Sequence, residues 1–138
     1  MKKGIETIHK LEQAAVLILN TFNGWDLEWT GEGFDPVDAI GYTPKGFSCA
    51  MEMKFRNKYY PTKMLEAYKY NRLMNMNVDV RLYFVGDPQG NYMFWLDDIK
   101  MPDPVKIWCP STTLWNNSKQ EKLVYMLDEK QSAETLIY

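Results

Sequence analysis

The segment FSCAMEMKF, residues 47–55, constrains this chain more than any other. It is short and apolar along most of its length, which suits a β-strand buried in a sheet. Alternate residues of a strand share a face. Phe47, Cys49, Met51, Met53 and Phe55 therefore point one way, onto a core, while Ser48, Ala50, Glu52 and Lys54 point the other. An acid and a base two residues apart on one face of so apolar a strand call for a reason.

The flanking segments say what kind of sheet holds this strand. Residues 3–22 repeat with helical periodicity, with Ile5, Ile8, Leu11, Ala15, Leu19 and Phe22 along one face and Gly24 placed to end the helix. WDLEW alternates as a strand, TGEGFDP is a loop, VDAIGY is a short strand, and TPKG turns the chain into FSCAMEMKF, so the last two strands form a hairpin. Pro61 stands near the start of a helix expected over residues 62–76. VDVRLYFVG and YMFWL are strands joined by the turn DPQGN. In the C-terminal extension VKIWC reads as extended, and two readings stay open beyond it: a helix capped at Ser118, or a strand over KLVYML. The order α-β-β-β-α-β-β describes one α/β domain spanning residues 1–138, a mixed central sheet with a helix on each side.

Composition narrows the chemistry. At 46% apolar residues the chain can bury a core. A net charge of −2 gives no global attraction to nucleic acid or anionic membrane. The charge is unevenly spread, however: an acidic stretch (Asp26, Glu28, Glu32, Asp35, Asp38) precedes a basic one (Lys45, Lys54, Arg56, Lys58, Lys63, Lys69, Arg72). His9 is the sole histidine, which removes His-rich zinc sites and most Ser-His or Cys-His nucleophile systems. Cys49 and Cys109 make no CxxC pair, so a reduced, cytoplasmic protein is the simpler expectation, with one disulfide left open. No apolar run reaches transmembrane length, and Glu6, His9, Lys10 and Glu12 break up the N-terminal stretch that faintly resembles a signal peptide. No organic cofactor or membrane is expected.

Asp38 begins the strand before the hairpin turn, in line with Ile40 and Tyr42. Pairing of the two strands brings it toward Glu52 and Lys54. Converging carboxylates without histidine suit a hard divalent cation, Mg²⁺ with Mn²⁺ as substitute. A charged lysine beside such an ion is no ligand, but it can orient a water or stabilise charge on a phosphoryl oxygen. For an isolated ExK the commoner reading is a solvated same-face pair. Two further observations lie outside that strand. Glu12 falls within the apolar face of the first helix, between Leu19 and Ile5, where it needs a partner, a metal or a path to water. Lys69 lies in line with Leu65 and Leu73, beside Arg72, as a snorkelling lysine or a phosphate contact.

Taken together, Glu12, DPVDAIGY and FSCAMEMKFR resemble the PD-(D/E)XK nuclease superfamily, over a stretch running from Glu12 to about Val85. The resemblance implies a restriction-endonuclease-like fold and a Mg²⁺-dependent endonuclease hydrolysing DNA to 5′-phosphate and 3′-hydroxyl ends, including structure-selective members such as the archaeal Holliday-junction resolvases. It implies Asp38, Glu52 and the backbone carbonyl of Met53 as metal ligands, Lys54 as the catalytic lysine and Glu12 as the helical acid. Glu66 and Lys69 fall where members often carry a polar residue. The "PD" reads DPVD here, so Asp35 competes with Asp38, and the second helix has no glutamine. Arg56, Lys58, Lys63, Lys69 and Arg72 are the expected DNA-backbone contacts. A domain of this size cannot surround a duplex, so a homodimer is expected. The alternatives are a non-catalytic nucleic-acid- or protein-binding module on the same fold, and a structural protein assembling through its Trp/Tyr surface.

Overall fold

A computed structural model describes residues 2–33, 36–110 and 119–132. Helix α1 spans Lys2–Phe22, and strands β1 (Asp26–Trp29), β2 (Ala39–Tyr42) and β3 (Ser48–Phe55) follow. Strand β4 (Thr62–Glu66) runs directly into helix α2 (Ala67–Met74). Strands β5 (Val80–Asp87), β6 (Gly90–Trp95), β7 (Val105–Pro110) and β8 (Lys119–Asp128) complete the chain. The central sheet has the order β1-β2-β3-β5-β6, with β3 and β5 parallel and the other pairs antiparallel. A second, antiparallel sheet has the order β4-β8-β7. The molecule is thus an α/β structure, the class the sequence suggested, with a mixed central sheet; the second, antiparallel sheet was not expected.

Each turn has a local cause. Gly24, at φ 79°, ends α1 in the left-handed conformation that glycine adopts without strain, and the Trp25 amide bonds back to the Leu19 carbonyl at 3.2 Å. Between β5 and β6 the Asp87 carboxylate accepts from the amides of Gln89 (2.8 Å) and Gly90 (3.1 Å). Gly41 sits opposite Leu27, and a side chain there would overlap the Asp26 carbonyl oxygen, so the β1–β2 pair closes only over glycine.

Strand β3 is covered on both faces. Cys49, Met51 and Met53 join Ala15 and Val16 of α1 in one core. On the other face Ala50 packs with Leu65 of β4, Leu73 of α2 and Leu127 of β8. Glu52 therefore lies between a sheet and a second layer, not on a wet surface.

Two expectations need correction, and one left open is settled. The α1 face named from periodicity is only partly covered: Ala15 and Val16 are buried, whereas Ile5, Ile8, Leu11 and Phe22 are exposed. The apolar arc of the helix is wider than the part the sheet covers. The helix expected over 62–76 begins only at Ala67, because residues 62–66 form β4, where Lys63 and Leu65 are buried in alternation. A buried lysine in that alternation disguises its period of two. Lys69 and Leu73 still share α2, but Leu65 belongs to the strand. In the tail, the open choice over KLVYML falls to the strand, β8. Ser118 and Asp35 lie outside the described residues. Among the described residues, no helix is long and apolar enough to cross a membrane.

Candidate functional site

Antiparallel pairing of β2 and β3 places Ala39 against Met51, so one residue further Asp38 stands opposite Glu52. The Asp38 backbone is held on both sides. Its amide donates to the Met51 carbonyl at 3.1 Å, and its carbonyl accepts from the Thr30 amide at 2.8 Å. Its carboxylate Oδ2 accepts from the Met53 amide at 2.9 Å. The side chain is thereby fixed beside Glu52.

Glu52 is only 6% exposed, which rules out the solvated-pair reading of the ExK motif. Lys69 of α2 approaches it, Nζ to Oε1 at 3.7 Å. Burial above all, and then the neighbouring Asp38, push the Glu52 carboxyl up to about 7, while the charges of Lys69 and Arg72 work against the rise.

Lys54 lies two residues along the same strand face, half-buried, and lines a recess with Glu52, Arg56, Glu66, Lys69 and Tyr83. Burial, and after it the charges of Lys69 and Arg56, hold its ammonium below the usual lysine range; Glu66 opposes this. Glu66 is the residue where β4 passes into α2. One of its oxygens accepts from Lys122 Nζ at 3.1 Å, and the other, Oε2, is buried without a hydrogen-bond partner.

Glu12 is 5% exposed. Its partner is the Trp29 indole, which donates to Oε1 at 2.9 Å. Burial raises the Glu12 carboxyl, the indole bond works against that, and the charge of Asp38 adds to it. Glu12 thus stands behind Asp38, on the α1 side of the sheet.

The basic residues separate into distinct groups. Arg56 lines the recess, Lys58 is exposed, and Arg72 is exposed at the last turn of α2 with its guanidinium 5.2 Å from the Tyr68 ring centre. Lys69 points to Glu52. Lys63 is no backbone contact, which corrects the expectation: it is 2% exposed, bonds Asp87 at 2.9 Å and the Tyr60 carbonyl, and lies against the rings of Tyr59 and Tyr92. To meet a phosphate it would have to leave a buried ion pair.

Sequence reading missed Lys122 and Trp29. Lys122 reaches the site only because β8 pairs with β4, a long-range contact that has no local signal. Trp29 could have been suspected, since a buried Glu12 needs a donor.

The donor set fits a hard cation. Asp38 and Glu52 supply oxygen only, Glu52 from a buried position and Asp38 from a half-buried one. Among the described residues no group of three or more His, Cys, Asp or Glu side chains forms a metal cage, but Mg²⁺ is commonly held by one or two carboxylates and retained waters. A scan against protein-family models and a search of the curated proteins each found no match.

Proposed function

We propose that this chain is a divalent-cation-dependent nuclease of the PD-(D/E)XK kind, hydrolysing DNA phosphodiester bonds on a restriction-endonuclease-like fold. The observation that carries the reading is the placement of Asp38 opposite Glu52, with Lys54 on the Glu52 face and lining a narrow recess with it. A Mg²⁺ ion held by Asp38 and Glu52, with the Met53 carbonyl as the third protein donor, would polarise a phosphoryl oxygen and acidify a water. The rest falls to the chain. The Met53 amide fixes the Asp38 carboxylate. Lys69 keeps Glu52 oriented while the ion is absent. The Lys54 ammonium, partly desolvated, stands where negative charge grows on the scissile phosphate. The Trp29 indole holds Glu12 in place.

A second reading has one observation in its favour. Lys69 already lies near Glu52, so it could neutralise that acid permanently, leaving a fold that binds nucleic acid without cutting it. A Mg²⁺/Mn²⁺ cleavage screen over branched, duplex and single-stranded DNA, with RNA alongside, separates the two. The parent is expected to cut at least one substrate, and Asp38→Asn and Glu52→Gln are expected to lose both cutting and Mn²⁺ binding. Binding without cutting in either metal would favour the second reading.

A further inference from the structure

Three surface recesses share lining residues. The candidate site is the middle one. It shares Lys54 and Arg56 with a recess toward the N-terminal half of α1, which Asn57 and Tyr60 also line. It shares Glu66 with a recess between α2 and β8, where Tyr68, Asn71 and Lys122 stand. Shared lining residues thus link the narrow site to a wider recess on either hand.

Large, exposed rings line or border these linked recesses. Tyr60 is 49% exposed on one side of the site, and Tyr68 is 57% exposed on the other. Beyond Tyr68, Trp108 is 68% exposed and stands directly across the β7–β8 pair from Glu121, which lines the same recess as Tyr68. Cations alternate with these rings: Lys54, Arg56 and Lys69 at the centre, Lys122 beyond them, and Arg72 against the Tyr68 ring. The acids on the outer stretch are already matched, Glu66 by Lys122 at 3.1 Å and Glu121 by Lys106 at 3.7 Å.

Exposed ring faces interleaved with cations suit one ligand chemistry. An unpaired nucleic-acid strand offers both a phosphate backbone for the cations and free base faces for the rings. A duplex keeps its bases stacked inside and leaves exposed tyrosine and tryptophan faces unused.

We propose that these linked recesses form a path that binds single-stranded nucleic acid, its backbone running over Lys54 and Arg56 and its bases stacking on Tyr68 and Trp108 on one side of the site and on Tyr60 on the other. The inference builds on the nuclease reading of the central recess and narrows its substrate to an unpaired strand. A single strand can be gripped by one copy of a small domain, which removes the need for a partner copy to enclose it.

The test is fluorescence anisotropy on the whole chain in EDTA, using a labelled oligothymidylate and the same label on a blunt duplex. The parent is expected to bind the single strand more tightly. Tyr68→Ala and Trp108→Ala should each weaken single-strand binding by about 5- to 100-fold, the range for loss of one base–aromatic stack. Duplex affinity should stay within about twofold, and the salt dependence should not change, because no cation is removed. Tyr68→Phe and Trp108→Phe, which keep a ring, should retain most of the affinity. Equal affinity for duplex and single strand, or no loss in either alanine variant, would overturn the proposal. No metal is present in this assay, so it is independent of cleavage. Single-strand binding without metal-dependent cutting would sink the nuclease reading alone, and cutting of duplex without single-strand preference would sink the path alone.

Discussion

The Lys69 ammonium lies 3.7 Å from the Glu52 carboxylate, where helix α2 crosses strand β3, and Glu52 is almost wholly out of water. One lysine does not satisfy that acid. With Asp38 beside it, Glu52 keeps its proton up to about 7.

This has a consequence for stability. Unfolded, Glu52 releases its proton near 4.5, and folded it does so near 7. Between those values the folded chain binds the extra proton, so stability falls as pH rises through the window and levels off above it. Glu52→Gln removes the effect. In EDTA at pH 8 it should be more stable than the parent by on the order of 2 kcal/mol, and near pH 4.5 the two should converge. Mg²⁺ should raise the melting temperature of the parent but not of Glu52→Gln. Urea melts from pH 4.5 to 8 would count against this assignment if both proteins gave the same profile.

Lys54→Ala should separate chemistry from binding. Lys54 is a neighbour of the proposed metal site, not a ligand, so Mn²⁺ affinity should hold or rise. Single-turnover cleavage should slow by at least about a hundredfold, the usual cost of losing a charge-stabilising donor. Near-parental cutting would leave Lys54 as a surface charge.

Lys63→Ala should be a folding lesion. It strands Asp87, whose side chain is 1% exposed, without its cation. Breaking such a buried pair costs about 3–5 kcal/mol. Lys63→Met with Asp87→Asn should recover part of that loss in a thermal melt. A stable Lys63→Ala protein with weakened DNA binding would restore Lys63 to the basic surface.

Trp29→Phe removes the donor to Glu12 and leaves a buried carboxylate oxygen unpaired. The expected cost is about 1–3 kcal/mol, read by chemical denaturation. Trp29→Phe combined with Glu12→Leu should cost less than Trp29→Phe alone. Additive losses would mean that the indole bond contributes little.

Much of the frame was legible in the order of residues. Strand β3, its hairpin with β2 and the first helix announce themselves through periods of two and 3.6, because each period records which face leaves water. Asp38, Glu52 and Lys54 were legible for the same reason: strand alternation and a short turn settle who shares a face and who stands opposite. Their chemistry is carried by the resemblance to a nuclease family and awaits the cleavage screen.

The sequence by itself determined the first helix, the β2–β3 hairpin and which residues of β3 share a face, all of which depend on neighbours within a few residues or across one tight turn. Tertiary structure alone decided that Lys63 is buried and Lys69 is turned to Glu52. It also decided that Lys122 reaches Glu66 from the far end of the chain, and that β4 is a strand. Those outcomes come from the second sheet, β4-β8-β7, which joins segments far apart in the chain. A lysine carries the same letter whether its charge meets water or a buried aspartate, and only the layer packed over it settles which.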